Sequence, residues 1–150
     1  MHLLGSLKKI LGKKKYTAIP LVLTGTNHFE IKAKINGISG RFILDTGASN
    51  TCVGLDKAEQ FKLTLKTSDV KAAGAGAKDM ETMISDKNTI EIGKWKNKKQ
   101  KIVLFDLIHV NEALVAHEAK AVDGIIGSDI LKKSKAIIDY GKKKVYFRKR

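Results

Sequence analysis

The segment from His28 to Leu44 constrains the fold most, because it has the pattern of a β-hairpin. From His28 to Ile35, apolar residues alternate with polar or charged ones, which is the period of a strand with one buried face. Asn36-Gly37 follows, a dipeptide that favours a tight hairpin turn. Gly40–Leu44 then returns as a second strand. We therefore expect an antiparallel sheet built around this hairpin.

The rest of the chain also consists of short segments separated by turn residues. The further strand candidates are Tyr16–Gly25, Thr51–Val53, Ser68–Ala73, Lys78–Ser85, Thr89–Ile92, Lys101–Leu107, Val122–Ile126, Ala136–Tyr140 and Lys144–Phe147. Short helices are predicted from Asp56 to Phe61, with Asp56 and Glu59 as a capping box, and over Ser128–Lys133. The lone proline, Pro20, is expected at a sheet edge or bulge. The pattern predicts an all-β domain with one or two short helices.

Residues 1–15 differ from the rest and are predicted to form a separate basic amphipathic segment ahead of a domain over 16–150. The apolar members at helical spacing are Leu3, Leu4, Leu7, Ile10 and Leu11, and lysines fill much of the remainder. One interpretation is a helix packed on the domain or a frayed terminus. The other is a reversible anchor to an anionic membrane surface.

Charge and composition restrict the class of partner and cofactor. The net charge of +14 attracts nucleic acid, anionic lipid or acidic protein alike, so we do not favour nucleic-acid binding as the main activity. The four scattered histidines and one cysteine predict no metal site and no cofactor. A lone cysteine fits a reducing compartment, and we expect a cytoplasmic protein, with membrane association at the surface as the second interpretation.

The sharpest chemical feature is the sequence Asp45-Thr46-Gly47-Ala48. The apolar strand Phe42–Leu44 delivers the Asp45 carboxylate into a turn of small residues. A carboxylate there is costly unless a donor pairs with it, which favours a functional role over a simple turn cap. Gly47 permits close backbone approach, and Ala48 leaves room for a substrate. By itself this motif leaves both interpretations open.

A second motif, Ile125-Ile126-Gly127 followed by the predicted helix Ser128–Lys133, lies about eighty residues downstream. The two motifs in this order resemble the retropepsin-like (clan AA) aspartic peptidase family, and the resemblance covers roughly residues 19–147. It implies a closed β-barrel-like domain with a flap hairpin that closes over the substrate.

The resemblance also implies roles for particular residues. Asp45 would be the catalytic carboxylate, and Thr46, Gly47 and Ala48 would form its active-site loop. Ile125, Ile126 and Gly127 would support that loop, and Gly74, Ala75 and Gly76 would form the flap that binds substrate. The other aspartates receive structural roles: Asp123 as a turn residue, Asp129 as a helix-start cap, and Asp139 as a paired surface or structural residue.

The family mechanism needs two carboxylates that share a proton, so that one activates water and the other donates to the scissile carbonyl. Because this chain has one Asp-Thr-Gly sequence, the resemblance implies an aspartic endopeptidase that works as a homodimer on peptide or protein substrates. The alternative is a catalytically silent peptide-binding or dimerisation module that keeps the fold and docks to an anionic membrane surface.

The sequence departs from the retroviral pattern at two places. Serines stand at Ser49 and Ser128, where retroviral members carry a charged pair, so neutral hydrogen bonds are expected to hold the loop. In retroviral members the chain ends pair across the dimer, whereas the C-terminal tail of this chain carries six basic residues between 142 and 150. Two such tails repel, so we expect a different or larger dimer interface, or a weak and concentration-dependent dimer.

Two further side chains have competing interpretations. Cys52 is interpreted as a small core residue, since no histidine stands near it in the sequence to support a cysteine peptidase. Trp95 lies among lysines and is expected to cover a hairpin tip, the alternative being stacking on a base or contact with lipid.

Overall fold

The computed structural model describes residues 3–67 and 82–149. Three α-helices are described: α1 (Leu3–Lys13), α2 (Ile108–Ala116) and α3 (Ser128–Lys133). The strands are β1 (Tyr16–Pro20), β2 (Val22–Leu23), β3 (Phe29–Ile35), β4 (Ile38–Leu44), β5 (Cys52–Gly54), β6 (Lys66–Thr67), β7 (Met83–Ile92), β8 (Trp95–Phe105), β9 (Gly124–Ile126), β10 (Ile137–Asp139) and β11 (Lys144–Arg148). A 3₁₀ turn covers Leu55–Lys57.

Six of the strands close into a ring, in the order β3, β4, β9, β5, β8, β7 and back to β3. β3 and β4 form the predicted hairpin, with Phe29 opposite Leu44 and a turn in which Asn36 and Gly37 both have positive φ. β9 lies parallel to β4, and β5 lies antiparallel to β9. The expected mostly-β, closed-barrel fold with short helices is therefore confirmed.

The three strands β1, β11 and β10 form a second sheet. Pro20 ends β1 at an edge of this sheet, as expected of a residue without an amide hydrogen. Trp95 lies between this sheet and the barrel at 1% exposure, with its ring 5.5 Å from that of Phe147 in an edge-to-face contact. Because Trp95 is buried, its alternative interpretation as a surface residue for bases or lipid is wrong.

Alternation along the strands sorts the apolar side chains into two clusters. Phe42 and Leu44 of β4 join the larger cluster, whereas Ile43 between them joins the smaller one. The smaller cluster consists of Ile43, Cys52, Val103, Phe105, Leu107, Leu114, Val122 and Ile125, with Ala48, Val110 and Ala119 packed against it. It lies between α2 and the strands β4, β5, β8 and β9, and we call it the α2 cluster.

The structure corrects two predicted elements. The capping box at Asp56 is wrong, because the helical turn begins after Gly54 and no side chain caps it. The Asp56 side chain lies beside Gly54 instead. The predicted start of the strand at Lys101 is also wrong, because the lysine-rich stretch between the strand candidates Thr89–Ile92 and Lys101–Leu107 is a turn only at Gly93 and Lys94, and β8 already begins at Trp95.

The start of the chain packs at least partly on the domain. Leu11 of α1 is buried, while Ile10 is about half exposed. The Lys149 amide donates to the Lys15 carbonyl oxygen at 2.8 Å, joining the segment to the last strand. This favours the interpretation of α1 as a helix packed on the domain. In the described part of the chain, no helix is long and apolar enough to cross a membrane.

Candidate active site

Asp45 lies at the point where β4 leaves the barrel. Its amide donates to the Ile126 carbonyl oxygen at 2.9 Å, which extends the parallel pairing of β4 and β9 by one residue. Its side-chain Oδ1 accepts from the Gly47 amide at 2.9 Å, and its carbonyl oxygen accepts from the Ala48 amide at 3.2 Å. The residue is exposed, so the loop orients the carboxylate while leaving it open to solvent.

β9 and the start of α3 lie directly against this loop. A Cβ atom at Gly127 would come within 2.8 Å of the Ala48 carbonyl oxygen and 2.9 Å of Asn50, so only glycine fits there. The Ser128 amide donates to that same Ala48 oxygen at 2.7 Å. The structure thus brings the Asp-Thr-Gly-Ala loop together with Ile125, Ile126 and Gly127, which the sequence placed at one site.

A partly buried network centred on Thr51 joins the loop to its support. The Thr51 Oγ1 accepts from the Gly127 amide at 3.0 Å and donates to the Asp129 Oδ1 at 2.8 Å. The other oxygen of Asp129 accepts from the Gln100 Nε2 at 3.1 Å. Thr51 and Gln100 are almost completely buried, whereas Asp129 is partly exposed, so the two donors are shielded from water and depend on this carboxylate as their acceptor.

This network corrects one expectation, the role of Asp129. Asp129 does not cap α3, because the helix begins after Gly127 and no side chain caps it; the carboxylate instead bridges β5, β8 and α3. Neutral hydrogen bonds do reach the loop, as expected, but they come from the backbone: the Ser128 amide donates to the Ala48 carbonyl oxygen at 2.7 Å. Within the described residues, the side chains of Ser49 and Ser128 make no hydrogen bond. A carboxylate with two neutral donors holds the support in place.

The other two aspartates lie away from the loop. Asp123 precedes β9 at the end opposite to Ile126, where its Oδ2 accepts from the Arg41 amide at 2.9 Å and its Oδ1 is 3.8 Å from the Lys57 Nζ. Asp139 accepts from the Lys142 amide at 3.0 Å in the turn after β10. Both are structural, as expected, although Asp123 links two strands and is more than a turn residue.

Helix α2 is the site element that the sequence analysis missed. Leu114 of this helix, and Leu107 just before the helix begins, pack in the α2 cluster together with Ile43 and Ile125. The spacing of Leu107, Val110 and Leu114 is helical and could have indicated the helix. That signal was weak because Val115 places another large apolar side chain on the exposed face.

Cys52 lies within the α2 cluster as a free, buried thiol, as interpreted from the sequence. Burial raises its pKa to about 12, and the charges of Asp129 and Asp45 act in the same direction, against a lowering by the hydrogen bond to the Ile125 backbone. The thiolate is therefore scarce near neutral pH, which excludes Cys52 as a nucleophile.

The predicted flap residues Gly74, Ala75 and Gly76 lie outside the described residues, as do most of the two strands predicted around them. Within the described ranges, no group of three or more histidine, cysteine, aspartate or glutamate side chains is arranged to hold a metal ion.

Comparison with known proteins agrees with this arrangement. A profile of the family described as aspartyl protease matches residues 31–130, a span that contains both motifs. A retropepsin-like aspartic protease from Rickettsia conorii has a similar structure, with a TM-score of 0.59 and 20% identity over 89% of this chain and 90% of that chain. A search of curated proteins gives no match.

Two further solved structures share the fold. EIAV protease, complexed with the inhibitor HBY-793, has a TM-score of 0.54 and 20% identity over 73% of this chain and 90% of that chain. The retroviral protease-like domain of Ddi1 from Leishmania major has a TM-score of 0.50 and 17% identity over 75% and 81% of the two chains.

The closed barrel and these structural neighbours define a retropepsin-like fold. The family match spans residues 31–130, which is 100 of the 150 residues. The chain therefore belongs to the aspartyl protease family.

Proposed function

We propose that the chain is an aspartic endopeptidase whose active site is completed by a second copy, each copy supplying one Asp45. The observation that carries this proposal is the orientation of Asp45 by the Gly47 amide in an exposed loop, on a support joined by the Thr51–Asp129 network. General acid–base chemistry requires a carboxylate held in one orientation, and the Gly47 amide and the support beneath the loop hold Asp45 in this way.

The chemistry follows from bringing two such carboxylates together. Two carboxyl groups in close contact cannot both ionise, because their negative charges repel, so the pair holds one proton between them. The ionised member removes a proton from a bound water, which attacks the scissile carbonyl carbon. The protonated member donates to the carbonyl oxygen, and collapse of the tetrahedral intermediate releases the amine. No covalent acyl-enzyme forms.

A homodimer is proposed because the chain contains one Asp-Thr-Gly sequence. Its interface must differ from simple pairing of the C-terminal strands, because β11 already has β1 on one side and β10 on the other. The free edges of that sheet, within the described residues, belong to β1 and β10. This supports the expectation that the basic chain ends do not pair strand to strand.

The substrate class proposed is an extended peptide with apolar side chains near the cut, bound as an added strand between Asp45 and the flap at Gly74, Ala75 and Gly76. The domain over 16–150 would carry this activity, with residues 1–15 as an appended segment. No observation in the described structure favours the silent module or a membrane partner, and an oriented, exposed carboxylate favours the enzyme.

The test compares cleavage of a diverse peptide library by the parent protein and by Asp45→Asn, from acidic to neutral pH and at several protein concentrations. Asp56→Asn is the matched control, because it neutralises an exposed aspartate away from the loop. We expect cleavage by the parent and by Asp56→Asn, rising faster than linearly with protein concentration, and none by Asp45→Asn. Equal cleavage by all three proteins would contradict the proposal.

A further inference from the structure

Helix α2 covers the side of the strands on which Asp45 stands. Side chains alternate along β4, so Ile43 faces one side, and Phe42 and Leu44 face the larger cluster. The Asp45 amide continues the pairing with β9 by one residue, so the same alternation places Asp45 on the side of Ile43. Ile43 is 6% exposed and Ile125 of β9 is 8% exposed. Both belong to the α2 cluster, to which the helix contributes the buried Leu114 and the partly buried Val110. The apolar surface beside the Asp45 loop is therefore already occupied by α2.

A local hydrogen bond closes the turn at the start of the helix, and two further bonds fix its middle to the domain. The Asp106 Oδ1 accepts from the Ile108 amide at 2.9 Å at the beginning of α2. In the middle, Asn111 makes two hydrogen bonds to the backbone of Val122, accepting from its amide at 2.8 Å and donating to its carbonyl oxygen at 3.1 Å. These bonds tie α2 to the segment that leads into β9.

The end of α2 reaches towards the Asp45 end of the barrel. A Cβ atom at Gly25 would lie 3.4 Å from the carbonyl oxygen of His117, the residue that follows the helix. Gly25 lies in the turn before β3, and Phe29 at the start of β3 pairs with Leu44. The helix therefore runs along the α2 cluster from the far end of β8 to the strand end that carries Asp45.

We infer that α2 forms one wall of the substrate site beside Asp45, and that Leu114 and Val110 limit the size of the substrate side chain next to the scissile bond. This rests on the proposed function. Ala48, three residues after Asp45, packs against the same cluster and so connects the catalytic loop to this wall. A peptide held at Asp45 would therefore contact α2. Without the helix, it would contact an open apolar pocket lined by Ile43 and Ile125.

A wall already filled by leucine favours small substrate side chains at that position. Removing methyl groups from it creates space that a larger substrate side chain can fill. In an apolar pocket, one or two carbon atoms change discrimination by about tenfold to two hundredfold. Leu114→Ala should therefore change which peptides are cleaved, in addition to any general effect on the protein.

The experiment measures kcat/KM for peptides that differ only in whether alanine, valine, leucine or phenylalanine flanks the scissile bond. It compares the parent with Leu114→Ala and Val110→Ala, and thermal unfolding verifies that each variant is folded. Val110 is only partly buried, so its variant provides the test if Leu114→Ala does not fold. Val115→Ala is the matched control, because Val115 is 59% exposed on the same helix.

The parent is expected to favour alanine and valine. Both wall variants should raise kcat/KM for leucine and phenylalanine peptides, relative to alanine peptides, by about tenfold or more, and the control should keep the parent's ratio. An unchanged ratio in the folded wall variants would overturn the inference and leave the proposed function standing. Absence of any cleavage that depends on Asp45 would overturn both.

Discussion

At the scale of single residues, the loop that carries Asp45 depends on a second carboxylate, that of Asp129. Asp129 receives hydrogen bonds from Thr51 and Gln100, both almost fully buried, and Thr51 in turn accepts from the Gly127 amide. The carboxylate thereby aligns three elements beneath the loop without contacting the loop itself. We regard it as a positioning residue.

Replacing Asp129 by asparagine tests this role. The new amide group would face a hydrogen-bond donor, either Thr51 or Gln100, so one buried donor loses its acceptor at a cost of about 1–3 kcal/mol. We expect the free energy of unfolding to fall by that amount in urea titrations. We also expect kcat to fall more than KM changes, because the loop loses its alignment. Unchanged stability would show that the network adds nothing.

Cys52 provides a prediction about pH. Burial raises its pKa from 9.0 to about 12 in the folded chain, so the folded state holds the thiol proton where the unfolded state has lost it. The contribution of the protonated thiol to the free energy of unfolding is fully present below pH 9.0. It declines as pH rises towards about 12, by roughly 1.4 kcal/mol per pH unit. The free energy of unfolding should therefore fall more steeply with pH in the parent than in Cys52→Ala.

Urea unfolding at intervals from pH 7 to 10.5 measures that difference, because lysine and tyrosine titration is common to both proteins. If the free energies of unfolding of the parent and of Cys52→Ala changed in parallel above pH 9, the thiol would ionise as readily in the folded chain as in the unfolded one.

At the scale of elements, the placement of β9 between β4 and β5 determines where Asp45 points. Gly124 begins β9, and a Cβ atom there would lie only 2.1 Å from the Cys52 carbonyl oxygen of β5. No flexible side chain can yield at that contact, since the opposing atom is backbone. The close approach of these two strands therefore requires glycine.

Gly124→Ala should separate β9 from β5 and destabilise the protein by more than about 3 kcal/mol, at the upper end of single substitutions. Gly12→Ala is the control, because a Cβ atom at Gly12 meets nothing within 4 Å and alanine favours the helix α1. Thermal unfolding of both variants measures the effect. A Gly124→Ala protein as stable as the parent would contradict the described packing of β9.

Local patterns predicted some of these elements well. The β3–β4 hairpin has clean alternation and an Asn-Gly turn, and α3 has the predicted bounds, so the sequence alone indicated where Asp45 and its support lie. Long-range contacts determined the rest. Asn97 and Gln100 take buried positions in β8 by bonding to each other at 2.9 Å, which breaks the apolar alternation that predicts a strand.

The role of Asp129 was also beyond the reach of sequence patterns. Its two donors, Thr51 and Gln100, stand 78 and 29 residues away along the chain, and only the folded barrel brings them together. The residue's position at the start of α3 suggested a cap instead. The α2 wall was missed for a related reason, because its exposed face is also partly apolar.

At the scale of the whole molecule, the central claim is that one chain provides half of an active site. A net charge of +14 on each copy opposes association at low ionic strength, so activity assays should use moderate salt and several protein concentrations. The claim concerns the number of Asp45 carboxylates that each site needs, and that number can be counted.

The measurement is to mix the parent with Asp45→Asn at constant total concentration, allow subunits to exchange, and follow the rate of peptide cleavage against the fraction of parent. If each site needs Asp45 from both copies, the rate follows the square of that fraction, so an equal mixture retains about a quarter of the activity. A rate proportional to the fraction, with half the activity retained, would mean that a single Asp45 suffices and would contradict the account.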